Sequence, residues 1–180
     1  AGQEGGHYYH FGIASGVEAF ANADSNSLPA QLKLQFNLDG LPLFKSSSME
    51  FWPILCLVRD ANVAPFVVGL YCGTKKPVSI EEYLKEFVQD LVDVLRNGIT
   101  LNDFLYKVTV DCFICDAPAR SYIKNVKGHS GYFGCDKCVQ EGDYFANRMT
   151  FPCVDAILRT DEQFSKSTYE EHRRGPTPLS

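Results

Sequence analysis

The chain has 180 residues, 45% of them hydrophobic and 22% charged, with a formal net charge of −5. That composition fits one globular domain with at most a small appendage, and excludes a largely disordered chain, a collagen-like repeat and a coiled coil. The longest apolar runs, such as residues 64–71, fall far short of the ~20 residues needed to span a bilayer, so no membrane partner is expected. The acidic total argues against a protein that coats nucleic acid, but leaves room for a nucleic-acid enzyme with local basic patches. Seven cysteines at irregular spacing, with no signal pattern, fit reduced thiols in an intracellular protein better than a disulfide scaffold. A start at Ala1-Gly2-Gln3 without Met, and a turn-like tail over 176–180, point to a fragment of a longer protein.

Residues 1–11 are rich in Gly and His, and 1–30 read as a flexible or non-core segment with a short helix at 17–23. His7 and His10 form an HxxH pair that reads either as a metal site or as surface histidines. From residue 31 the pattern sharpens. Leu32, Leu34, Phe36 and Leu38 alternate with polar residues, which predicts a half-buried strand ending at Asp39. Segments 52–59 and 65–72 read as two more strands, and the short links predict an antiparallel meander. Residues 79–97 place Ile80, Tyr83, Leu84, Phe87, Val88, Leu91, Val94 and Leu95 on one face of a helix. Ser79 and Glu82 form its capping box, and Gly98 supplies a left-handed cap. A fourth strand follows at 106–115, then a helix from Asp116-Ala117-Pro118 to about Lys127, with Gly128 after it. The fold class read from these elements is α/β: three antiparallel strands, helix, fourth strand, helix. Residues 129–180 read as an irregular extension carrying a zinc knuckle.

Asp39 and Asp116 close the first and fourth strands. If those strands are central in one mixed sheet, the two carboxylates end side by side and call for a cation between them, Mg²⁺ or Mn²⁺ being suited to oxygen ligands and phosphate. Against this, Asp116 is also an ideal helix N-cap and Asp39-Gly40 a common turn pair. Cys135 and Cys138 form a CxxC half-site for tetrahedral Zn²⁺, with His129, Cys153 and His172 as candidate further ligands; an unliganded or redox pair is the alternative. Arg120, Lys124 and Lys127 share one helical face just after Asp116, where a DNA backbone would approach, and an ordinary solvated face explains them as well. Lys45 with Ser46, Ser47 and Ser48 is either a phosphate contact or a solvated turn, the second being favoured. Lys75, Lys76 and Arg148 are scattered bases. Trp52 and the strand cysteines Cys56, Cys72 and Cys112 read as core, as does Cys115.

Several strings then occur in order: LQFNLDGLPLFKSSS (34–48), FWPIL (51–55), PFVVGLYCG (65–73), FICDAPAR (113–120), KGHSGYFGCDKC (127–138) and RMTFP (148–152). Together, over about residues 31–180, they resemble a transposase-derived domain of animal genomes, similar to the CACTA-type (CMC) DDE transposases. The resemblance implies an RNase H-like catalytic core over 31–128, with a CxxC zinc-binding insertion over 129–180 that is truncated here. Its first two catalytic acids fall on Asp39 and Asp116, with Mg²⁺ or Mn²⁺ as cofactor. In related recombinases, including the V(D)J recombinase and its Transib relatives, the zinc-binding CxxC follows the second Asp; here Cys135 lies 19 residues after Asp116. The remaining zinc ligands of that layout are a downstream histidine pair, for which this chain offers His172 alone. The third acid of the family lies on a later helix. Glu162, Glu170 and Glu171 are not on such a helix, so it is expected past Ser180. The implied function is metal-dependent DNA strand cleavage and transfer at transposon ends, in the nucleus, with homo-oligomerisation as an expected partner state. A domesticated, catalytically inactive DNA- or protein-interaction module is the alternative, and a cellular RNase H-like nuclease a distant third.

Overall fold

The computed structural model describes residues 2–3, 5–23, 28–44, 48–61 and 64–179, which divide into two compact units, 1–115 and 116–180. The first unit is mixed α/β. Its strands are β1 (Gly2–Gln3), β2 (Gly6–His10), β3 (Gln31–Leu38), β4 (Leu41–Pro42), β5 (Glu50–Val58), β6 (Phe66–Gly73), β7 (Ile99–Leu101) and β8 (Phe104–Ile114); its helices are α1 (Ile13–Ala23) and α2 (Ile80–Asn97). The strands form one mixed sheet in the order β1-β2-β6-β5-β3-β8-β7, with β4 paired to β5. The predicted meander is present as β3, β5 and β6, antiparallel and adjacent. β8 lies on the other side of β3 and runs parallel to it, with Asn37 opposite Ile114.

The alternation in β3 buries Leu32, Leu34, Phe36 and Leu38, as its period requires. α2 turns Ile80, Tyr83, Leu84, Phe87, Leu91 and Val94 inward, while Leu95, expected on that face, is exposed. Phe36, Phe87 and Phe113 form an aromatic cluster with centroids 5.1–6.3 Å apart. Ser79 caps α2 by accepting from the Glu82 amide at 3.1 Å. Gly98 ends the helix at φ 73°, ψ −172°, an extended positive-φ conformation rather than the left-handed helical cap expected. A Cβ there would sit 2.6 Å from the Tyr106 carbonyl oxygen.

The N-terminal segment departs from expectation. Residues 1–30 were expected to be flexible or outside the core, yet β2 pairs with β6, and Tyr8, Ile13 and Val17 are buried. His7 and His10 are an odd number of residues apart on a strand, so they point to opposite faces and do not form a pair. His10 instead links Tyr8 and Asp90: Tyr8 Oη lies 3.0 Å from Nδ1, and Nε2 lies 2.9 Å from Asp90 Oδ2. That same carboxylate oxygen accepts from the Ile13 amide at 2.7 Å. Burial alone would raise the Asp90 carboxyl, but these two hydrogen bonds and the His10 charge hold it below the usual carboxylate range.

The second unit contains α3 (Ala117–Ile123), the hairpin β9 (Asp143–Phe145) with β10 (Arg148–Thr150), and the five-residue α4 (Asp161–Ser165). Turns make up most of the rest. α3 stops before the expected Lys127: Asn125 adopts φ 51°, and the Val126 amide bonds back to the Ser121 carbonyl, a Schellman-type ending in which Asn125 plays the glycine's part. Among the described residues no helix is long and apolar enough to cross a membrane.

Candidate functional site

The two aspartates expected to act together are Asp39, in the first unit, and Asp116, the first residue of the second. Asp39 follows β3 by one residue, and its Oδ1 accepts from the Gly40 amide at 2.8 Å. Gly40 lies against Trp52, where a Cβ would fall 2.7 Å from Cζ2; Trp52 itself is buried, as core. Asp116 caps α3, with Oδ1 accepting from the Ala119 amide at 2.7 Å. Each side chain therefore performs the local backbone role its sequence context offers, and each has its second oxygen without a partner among the described residues. The strands that precede them, β3 and β8, are neighbours and parallel, so their carboxyl ends leave the same edge of the sheet. Among the described residues, no group of three or more His, Cys, Asp or Glu gathers to hold a metal.

Of the acids weighed for a third position, Glu162 is committed to Lys166 at 2.5 Å on α4, and Glu170 and Glu171 are exposed in turns. Lys45, Ser46 and Ser47 lie outside the described residues; Ser48 is exposed. Lys75, Lys76 and Arg148 are exposed. Of the thiols expected in the core, Cys56 is buried and pushed up to about 12 by burial, while Cys72, Cys112 and Cys115 are half-buried.

The CxxC segment is built by tight turns. Cys135 and Cys138 hold their sulfurs 3.0 Å apart, and the Cys138 amide donates to Cys135 Sγ at 3.4 Å. Burial alone would raise the Cys138 thiol, but hydrogen bonds from Cys135 and Gln140 and the nearby Arg159 charge pull it below its ordinary value. Arg159 donates through Nε to the Cys135 carbonyl at 3.0 Å and stacks on Tyr169. His172 is 1% exposed. Its Nδ1 lies 2.6 Å from the Phe133 carbonyl oxygen, which can only accept, so Nδ1 carries the proton. Nε2 is then a buried lone pair with no partner. Burial and Arg159 push this imidazole toward its neutral form.

Two thiols and a neutral imidazole, whose other nitrogen donates to a carbonyl, are a donor set that suits Zn²⁺. They stop short of a formed site, because the three are not gathered into one group. The other candidate ligands contribute nothing closer. Cys153 is exposed, with its backbone held by the Gln140 side chain, and His129 is exposed.

The basic trio separates. Arg120 Nε lies 3.2 Å from Asp136 Oδ2, and Lys124 Nζ 2.5 Å from Oδ1 of the same carboxylate. Lys127 lies beyond the helix, with Nζ 5.4 Å from the centre of the Phe133 ring. The three therefore do not form one helical face, because α3 ends at Ile123. Asp136, inside the CxxC, is the residue that sequence reasoning missed. Only the charge of a knuckle-turn residue hinted at it, and its partners lie 12 and 16 positions away. A comparison of the chain with protein-family models finds no match, and a comparison with curated proteins finds none.

Proposed function

We propose that this chain is the catalytic-core portion of a DDE-type DNA transposase with an RNase H-like sheet, Asp39 and Asp116 being two of its catalytic acids. The single observation that carries this reading is the pairing of β3 with β8. They are adjacent and parallel, register Asn37 against Ile114, and lead directly into Asp39 and Asp116. The free second oxygen of each carboxylate suits Mg²⁺ or Mn²⁺. Such an ion supplies charge neutralisation at a phosphodiester and lowers the pKa of an attacking water or 3′-hydroxyl. The chain's own contribution is positional: the Gly40 and Ala119 amides fix the first carboxylate oxygens and so orient the second ones. Cys135, Cys138 and His172 would hold a structural Zn²⁺ that braces the knuckle. DNA transposon ends as substrate and a nuclear location go with this reading.

A second reading is a catalytically silent, transposase-derived interaction module. It is favoured by one fact: both aspartates already serve as turn and cap, and no third acid joins either of them among the described residues.

Calorimetric titration with Mn²⁺, on the wild type and on Asp39→Asn and Asp116→Asn, tests the first reading. Asn caps a helix as well as Asp does, so both variants are expected to fold. Binding to the wild type that disappears in each variant supports a shared metal site. No binding to a folded wild type, or binding untouched by either substitution, overturns it in favour of the silent module.

A further inference from the structure

We propose that a second site, separate from the aspartates, seats a backbone phosphate of a nucleic-acid strand in the pocket beside the knuckle. This rests on the DNA-processing reading and adds where the strand is gripped. The pocket has a volume of about 220 Å³ and takes Arg120 from α3, Lys127 and His129 from the turn after it, and Lys137 from the CxxC. A water occupies ~30 Å³ of liquid, so there is room for a phosphate group.

A glycine repeat builds the pocket. Gly128, Gly131 and Gly134 are spaced by three, and the amides of Gly131 and Gly134 each donate to the preceding glycine's carbonyl at 2.9 Å. The loop curls so tightly that a Cβ on Gly134 would collide with the Gly128 carbonyl oxygen. That curl brings Lys127 and Lys137, ten residues apart in the chain, to one pocket. Glycine-rich turns that let backbone and cations close around an anion are a recurrent way to hold phosphate.

The charge count points the same way. Three cations line the pocket against one carboxylate, Asp136, and that carboxylate is also neutralised by Lys124 from outside the lining. Arg120 meets Asp136 through Nε at 3.2 Å, with its side chain 47% exposed. The pocket is left with excess positive charge, which an anion would complement. Arg120, His129 and Lys137 are all exposed, so a strand passing over the surface can leave one phosphate here while the rest stays outside. Lys124 is not part of this site, although it was grouped with Arg120 and Lys127 on sequence grounds.

The test uses fluorescence anisotropy of a labelled DNA duplex across a salt series, in phosphate-free buffer without added divalent metal. Lys127→Ala and Lys137→Ala are each expected to weaken binding about five-fold at low salt and to reduce the slope of log K against log salt by about 0.9. Lys166→Ala, at an exposed lysine just after α4, is expected to match the wild type. Equal losses in all three variants, or none in the first two, overturn the proposal. Calorimetry with pyrophosphate separates the sources of phosphate: lysine-dependent pyrophosphate binding without duplex binding makes this a small-phosphate site and overturns the strand assignment. The duplex measurement contains no divalent metal, so it is read independently of the two aspartates. A failed Mn²⁺ titration alongside intact lysine-dependent binding therefore removes the catalytic reading and leaves this one standing.

Discussion

In residues 1–115 the large buried side chains meet one another. Tyr8 and Tyr71 pack on Tyr83, and Phe36 on Phe87, across a sheet–helix interface. In residues 116–180 the buried side chains among the described residues are those of Ala119, Ile123, Val126, Cys138, His172 and Thr177, of which only Ile123 and Val126 are sizeable apolar groups and none is aromatic. Specific polar contacts replace the core there. Asp136 is shared by Arg120 and Lys124, Arg159 lies between Tyr169 and the Cys135 carbonyl, Arg173 lies over Phe164, and Thr177 donates to the Ile123 carbonyl at 2.7 Å. Apolar burial is non-directional and tolerant, while a network of this kind depends on each partner being in place. The first unit should therefore fail through lost volume, and the second through lost geometry.

The largest effect is expected from Phe36→Ala. Phe36 is fully buried and touches the rings of both Phe87 and Phe113, so truncation should cost about 3–5 kcal/mol. Trp52 is the chain's single tryptophan and lies in the first unit, so its fluorescence in a denaturant titration reports this loss. A cost below about 1 kcal/mol would mean that the aromatic cluster is not what holds this unit.

Gly134→Ala is the counterpart in the second unit. The added methyl meets backbone, the Gly128 carbonyl, which has no rotamer to give, and overpacking of this kind costs about 1–3 kcal/mol. Amide exchange over residues 126–142 should accelerate, while Trp52 emission keeps its wild-type midpoint. If Trp52 moves with it, the two units do not respond separately.

The same contrast explains what the sequence made legible. Period-two alternation at 31–38 and the 3.6 period of 80–97 are direct imprints of apolar burial, and both elements lie where those patterns put them. β2 escaped because five residues that bury one aromatic, Tyr8, carry no period. β7 escaped because it has only three residues. At the candidate site, Asp39 and Asp116 were legible from their place after strands, and their turn and cap roles from Gly40 and Pro118. The Asp136 hub and the orphaned Nε2 of His172 were not, because long-range polar pairing has no local spacing rule. The helix drawn through Lys127 failed for a similar reason: Asn125 adopts a left-handed conformation and ends α3 short of the expected Lys127, before Gly128 is reached.

Asp90→Asn tests a part-buried polar network that the first unit does contain. Removing the charge that His10 and the Ile13 amide share should cost about 1–2 kcal/mol near neutral pH. The sign with pH follows from the lowered carboxyl: its stabilisation is present above the unfolded-state value of ~3.9 and is lost as pH falls through the folded value below that. The variant should accordingly show a flatter acid limb than the wild type in a series of denaturant midpoints between neutral and strongly acidic pH. Parallel limbs would mean that Asp90 contributes no proton linkage.

The smallest effect is expected from Lys166→Ala, which sharpens what kind of polar contact holds the second unit. Lys166 and Glu162 are 2.5 Å apart at an i,i+4 spacing, in the favourable order with the acid first, yet their side chains are 68% and 76% exposed. Water screens such a pair, and ordering two long side chains offsets much of the attraction, so the loss should stay within about 0.5 kcal/mol. The Lys124–Asp136 pair has the same separation, with side chains only 28% and 32% exposed and a second cation on the carboxylate. Lys124→Met keeps most of the aliphatic stem and removes the ammonium, which contacts Asp136 and lies 5.2 Å from the centre of the Phe164 ring, so it reports these half-buried contacts together. A larger loss for Lys124→Met than for Lys166→Ala, read by amide exchange over 116–179, ties this unit's order to its enclosed partners. Equal losses would place that order in the turns alone.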